Sequence, residues 1–107
     1  MALPILPGKT KAVKAMFKKI KEQKWADYER VQKNQGITKE RDFLQATPQG
    51  DFLLIYIESE NVQKTFEAFT ASKDPFDLWY IDEMKKNTGV DFSLPAGPLP
   101  EMLISYK

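Results

Sequence analysis

A chain of 107 residues that is 42% apolar, with seven Phe, four Tyr and two Trp, has the material for one hydrophobic core but not the length for two, which excludes both a disordered and a multidomain protein. It contains no Cys and no His, which excludes a disulfide framework, a thiol nucleophile, a zinc ribbon and a histidine-ligated haem; no metal and no cofactor is expected. The net charge of +1 is unevenly spread: residues 1–34 carry nine basic side chains against three acidic ones, so the remainder is net negative by five.

No apolar run is long enough to span a bilayer. The opening Met1-Ala2-Leu3-Pro4-Ile5-Leu6-Pro7-Gly8 is too short and too proline-broken for a signal peptide, so a soluble cytoplasmic protein with no membrane association is expected. Leu3 to Leu6 predicts a short first strand, confined to an edge by Pro4 and ended by Pro7-Gly8. Thr10 is then placed to cap a helix whose apolar positions Val13, Met16, Phe17 and Ile20 recur at three- and four-residue steps. Trp25, Tyr28 and Val31 continue with a phase slip, which predicts a bend or break between Glu22 and Lys24, and Gly36 is the terminating residue. The lysines of this region read as a solvated helix face, or as a face that meets acidic surface of the same protein. Nucleic acid is disfavoured as a partner, because no interleaved aromatics and no known nucleic-acid motif accompany them.

Residues 38–47 and 51–58 predict a β-hairpin around Thr47-Pro48-Gln49-Gly50-Asp51, closed by a type I turn with a glycine bulge or by a two-residue Gln49-Gly50 loop. The two-residue loop puts Leu44, Ala46, Leu53, Ile55 and Ile57 on a core face. The opposite face carries Arg41, Phe43, Gln45, Phe52, Leu54, Tyr56 and Glu58, with Arg41 paired to Glu58 and Phe43 to Tyr56 across the strands. A second helix follows Ser59-Glu60-Asn61 and runs to about Ser72, with Val62, Phe66 and Phe69 on one side. A third opens at Asp74-Pro75, turns Phe76, Trp79, Tyr80 and Met84 inward and ends near Thr88-Gly89. Leu94 to Pro100 reads as an extended loop and Met102 to Tyr106 as a last strand. The expected fold is α+β, a ferredoxin-like β-α-β-β-α-(α)-β domain over 1–107 with an antiparallel sheet.

Five segments resemble an uncharacterised, mainly bacterial family of chains of about this length: Leu6-Pro7-Gly8-Lys9-Thr10, Gly36-Ile37-Thr38-Lys39-Glu40-Arg41, Thr47-Pro48-Gln49-Gly50-Asp51, Ser72 to Trp79, and Thr88-Gly89-Val90-Asp91 to Leu99-Pro100-Glu101. The resemblance implies half of a dimeric α/β barrel, in which two sheets pair around a cavity, and hence a homodimer. Relatives by fold include cofactor-independent monooxygenases, muconolactone-type isomerases, haem-degrading enzymes and stress-related proteins, so fold does not choose an activity. In the family the first strand is longer, whereas here six residues precede Pro7-Gly8.

Arg41, Phe43, Gln45, Phe52, Tyr56 and Glu58 form the candidate cavity: an Arg fixes a small organic acid, a Tyr donates to an oxyanion, and a Glu in apolar surroundings moves a proton. The structural alternative is an Arg41–Glu58 cross-strand pair with aromatics filling a dimer interface. Trp25 and Tyr28 are candidates for the cavity mouth, or plain interface residues. Asp77, Asp82 and Glu83 read as a helix-start residue and an exposed face rather than metal ligands. Pro7-Gly8-Lys9-Thr10 lacks the earlier glycine of a phosphate loop, since Leu3 stands there. Two function classes stay open: an oxygenase- or isomerase-like enzyme acting in the cavity, and a non-enzymatic dimer that binds a ligand or a partner.

Overall fold

The computed structural model describes residues 1–95, 97 and 100–106. Chain order is β1 (Ala2–Pro4), α1 (Thr10–Gln23), α2 (Trp25–Asn34), β2 (Ile37–Thr47), β3 (Gly50–Ser59), α3 (Val62–Thr70) and α4 (Pro75–Thr88). The three strands form one antiparallel sheet in the order β1-β3-β2, and the helices pack on one of its faces, an α+β arrangement in two layers. No helix among the described residues is long and apolar enough to cross a membrane.

The helical boundaries follow local chemistry. Lys24 leaves helical geometry (φ −128°, ψ 20°), yet its N–H still bonds Ile20 O and its carbonyl accepts from Tyr28, so α1 and α2 break at one residue without losing the ladder. The Lys24 ammonium sits 4.7 Å from the Trp79 ring centroid, which anchors the break to α4. Gly36 supplies the positive φ (72°) that turns the chain from α2 into β2. Thr10 is the first helical residue rather than the cap; its hydroxyl donates instead to Asp51 Oδ2 at 2.6 Å and ties α1 to the start of β3. Asn61 caps α3 by accepting from Lys64 N at 3.0 Å.

At the start of α4, Asp74 accepts from Phe76 N at 2.9 Å, with Pro75 in the first turn. Arg30 reaches across from α2 to grip both Asp74 oxygens, at 3.0 and 2.9 Å, and this hydrogen bonding holds the Asp74 carboxyl below the ordinary carboxylate range. Asp74→Ala is therefore expected to lower stability by about 0.5–2 kcal/mol with the fold intact. Urea unfolding followed by far-ultraviolet circular dichroism checks this, and an unchanged midpoint would show that neither the cap nor the clamp matters.

The hairpin register differs from the expected one. Thr47 pairs with Gly50, so Pro48-Gln49 is the two-residue loop, and the Thr47 hydroxyl fastens it by donating to Gly50 O at 2.6 Å while accepting from Gln49 N at 3.2 Å. Arg41 consequently lies opposite Tyr56, Phe43 opposite Leu54, Gln45 opposite Phe52 and Lys39 opposite Glu58. The slip is two positions, an even number, so every side chain keeps the face expected of it.

Two buried clusters sit between the layers. Leu3, Ile5, Val13, Met16, Leu53, Ile55 and Met84 make the larger, and Ile20, Val31 and Phe76 the smaller, bridged by Phe17, Trp79 and Tyr80. The expected last strand is absent: residues 102–106 form no strand, and Met102, Leu103, Ile104 and Tyr106 are exposed. The sheet ends at β1, which is three residues long and includes Pro4, a residue with no N–H for a further neighbour. In the loop expected over 94–100, Ala96, Pro98 and Leu99 lie outside the described residues.

Candidate functional site

Strand alternation decides which chemistry each sheet face carries. Lys39, Arg41, Phe43 and Gln45 of β2 and Phe52, Leu54, Tyr56 and Glu58 of β3 share the face away from the helices. The structure thus brings all six candidate cavity residues together. Phe43 is 54% and Tyr56 49% exposed, while Phe52 and Leu54 are half-buried, so an apolar band crosses this open face. Arg41, Gln45 and Glu58 are exposed around it. The Tyr56 hydroxyl donates to Glu58 Oε2, which pushes the phenol up and keeps it protonated. Arg41 makes no ion pair among the described residues; the expected pairing with Glu58 is replaced by the Tyr56–Glu58 bond. A guanidinium beside an aromatic wall is a suitable seat for a carboxylate.

Trp25 and Tyr28 lie elsewhere, on α2 and on the helical side of the sheet. Their rings are 5.1 Å apart and Trp25 Nε1 donates to Glu29 Oε1 at 2.7 Å. They border a cleft between α1 and β2, and Phe43 is the open-face candidate that lines the same cleft.

This helical side holds groups that the sequence reading passed over. Glu40 and Asp42 belong to the face of β2 that carries Leu44, where alternation places core residues. Gln32 Nε2 donates to Glu40 Oε1 at 2.7 Å and lies 3.2 Å from the Tyr28 hydroxyl. Asp42 Oδ1 is buried with no hydrogen-bond partner among the described residues. Burial first, then the adjacent Glu40 charge and a hydrogen bond to Glu40, push Asp42 up to about 8, so Asp42 holds its proton at neutral pH. Burial and the charges of Glu40 and Asp42 likewise raise Tyr28, which stays a phenol. The signal was legible in principle, because two acids stand at successive inward positions of an otherwise apolar face.

Two recesses meet at Glu40 and Tyr28. One, of about 60 Å³, is walled by Phe66, Phe69, Phe76 and Phe92. The other is the cleft between α1 and β2, of about 400 Å³. Asp77 closes the smaller recess near the start of α4, accepting from Gln35 Nε2 at 2.7 Å and Ser72 Oγ at 2.6 Å; burial raises its carboxyl against those bonds. Asp82 pairs with Lys86 on an exposed helix face, at 2.9 Å.

Compared with protein-family models, curated proteins and solved structures, the chain matches none of them.

Proposed function

We infer that this chain is a ferredoxin-like half of a dimeric α/β barrel, and that two copies close their open sheet faces around a small organic acid. The observation that carries the reading is the band of Phe43, Phe52, Leu54 and Tyr56 on a sheet face that no helix among the described residues covers. Such a face is costly to leave in water, and a second copy related by twofold symmetry supplies a matching one. The order β1-β3-β2 with helices on one side fits three strands of the ferredoxin-like sheet. Within the enclosed space Arg41 would hold the carboxylate and Phe43 and Phe52 the apolar body, with Gln45 and the Tyr56–Glu58 pair completing the wall. These groups serve binding first: the phenol proton is already committed to Glu58. The protein is accordingly read as a dimeric ligand-binding protein rather than an enzyme.

Sedimentation velocity at micromolar concentration tests the assembly. Wild type is expected to run as a dimer and Phe43→Glu as a folded monomer, because Phe43 is half in solvent and its replacement spares the core. A stable wild-type monomer would remove the barrel. Benzoate is expected to raise the melting temperature of wild type and to lose that effect in Arg41→Met.

A further inference from the structure

The helices do not cover the whole of the sheet face they pack against. Leu44 belongs to that face yet is 41% exposed, and Ala46 beyond it is exposed as well. The uncovered end is the cleft of about 400 Å³ between α1 and β2, whose apolar lining includes Val13, Phe17, Leu44 and Trp25. Its charged groups are arranged by element: Lys14 and Lys21 come from α1, and Glu40 and Asp42 from β2. Neither lysine forms an ion pair among the described residues, nor does either carboxyl. A cleft with apolar lining, acids on one bordering element and lysines on another is complementary to a molecule with separated charges of both signs.

We propose that the cleft between α1 and β2 binds a small dipolar molecule, whose ammonium group meets the Glu40 and Asp42 carboxyls while its anionic group meets Lys14 and Lys21 across an apolar spacer. The cleft opens on the helical side of the sheet and shares Phe43 with the proposed dimer face. An ammonium is the group that answers Asp42: it donates to several oxygens at once and cancels the repulsion between the two carboxyls. Its positive charge favours the ionised form of Asp42, so the Asp42 proton leaves to solvent. The other titratable groups facing the pair are Tyr28 from α2 and Tyr80 from α4, both raised by burial and by the acids themselves, and both remain neutral when that proton departs.

Isothermal titration with ε-aminocaproate, n-hexylammonium and hexanoate, in two buffers of different ionisation enthalpy near neutral pH, tests this on the full chain. ε-Aminocaproate is expected to bind tightest and to release a fraction of a proton per site. Asp42→Asn and Glu40→Gln are expected to weaken it about tenfold or more and to abolish the proton release. Both variants exchange an acid for its neutral isostere and relieve repulsion, so folding survives; thermal melts confirm it. Four results would overturn the proposal: no heat from ε-aminocaproate at millimolar concentration, n-hexylammonium binding as tightly, hexanoate binding as tightly, or binding and proton release unchanged in both variants.

Discussion

Asp42→Asn is expected to be more stable than wild type above about pH 8, with the advantage shrinking steadily down to pH 4. The sign follows from where the proton binds. In the folded protein Asp42 titrates at about 8, raised first by burial and then by Glu40, whereas an unfolded aspartate titrates near 3.8. Below both values the carboxyl is neutral in either state and imposes no penalty. As pH rises through this window the unfolded chain ionises freely, while the folded one must ionise a buried group beside a second carboxylate. Stability is therefore lost across the window and stays lost above it. Asparagine keeps the shape and a donor toward Glu40 but never charges. The difference between the two proteins is expected to reach at least about 1.4 kcal/mol, the equivalent of a single pKa unit. Asp77 is raised too, but it is present in both proteins and drops out of the difference. Urea unfolding at intervals from pH 4 to pH 9 measures the effect. Parallel curves for the two proteins would mean that Asp42 is solvated and ionises as readily in the folded chain as in the unfolded one.

The features read correctly from sequence are those whose cause is local. Asp74-Pro75 opens a helix because the carboxylate and the missing N–H act within one turn, and Gly89 closes it because only glycine takes a φ of 78° without strain. The slip after Ile20 marked the break at Lys24 for the same reason. The hairpin faces were legible but the register was not. The hydrophobic pattern favours a Gln49-Gly50 loop over the type I turn with a glycine bulge that Pro48 and Gly50 also suit, whereas the Thr47 hydroxyl, bonded to Gln49 N and Gly50 O, fastens a loop one residue earlier. A threonine side chain choosing between two turns leaves no mark in hydrophobic periodicity. The last strand was misread in the opposite way: Met102 to Tyr106 has strand-forming composition, but a strand also needs an edge, and β1 is short and carries Pro4.

The open-face residues were assembled correctly because alternation alone groups them, and alternation survives a slip of two. Glu40 and Asp42 were missed because the same alternation was followed only through the apolar positions. Leu44, Ala46, Leu53, Ile55 and Ile57 satisfied the idea of a core, and the acids one step further along the same face were left aside. Their significance lies in that conflict. A charged residue at an inward position opposes folding unless something compensates, and such conflicts concentrate where a protein binds or reacts.

The largest single loss of stability is expected at Phe76. This ring is 5% exposed and joins the smaller cluster, with Ile20 and Val31, to the aromatic wall. Its centroid lies 5.7 Å from Trp79, 6.2 Å from Tyr28 and 6.3 Å from Tyr80, so it is a buried aromatic contact through which α4 holds α2 in place beside the acids. It also lines the recess of about 60 Å³. Phe76→Ala removes the buried ring and merges the space it leaves with a void already present, so neighbours have little to collapse onto. The cost is expected near the upper end for such truncations, about 3–5 kcal/mol. Met84, although completely buried, is flexible and packed within the larger cluster, where surrounding side chains can partly refill its place. Urea unfolding of the two alanine variants beside wild type gives the comparison. A loss below about 1 kcal/mol at Phe76 would mean that α2 is held by the Arg30–Asp74 clamp and the backbone at Lys24 alone, and that the aromatic wall does not position Tyr28 and Gln32 against the carboxyl pair.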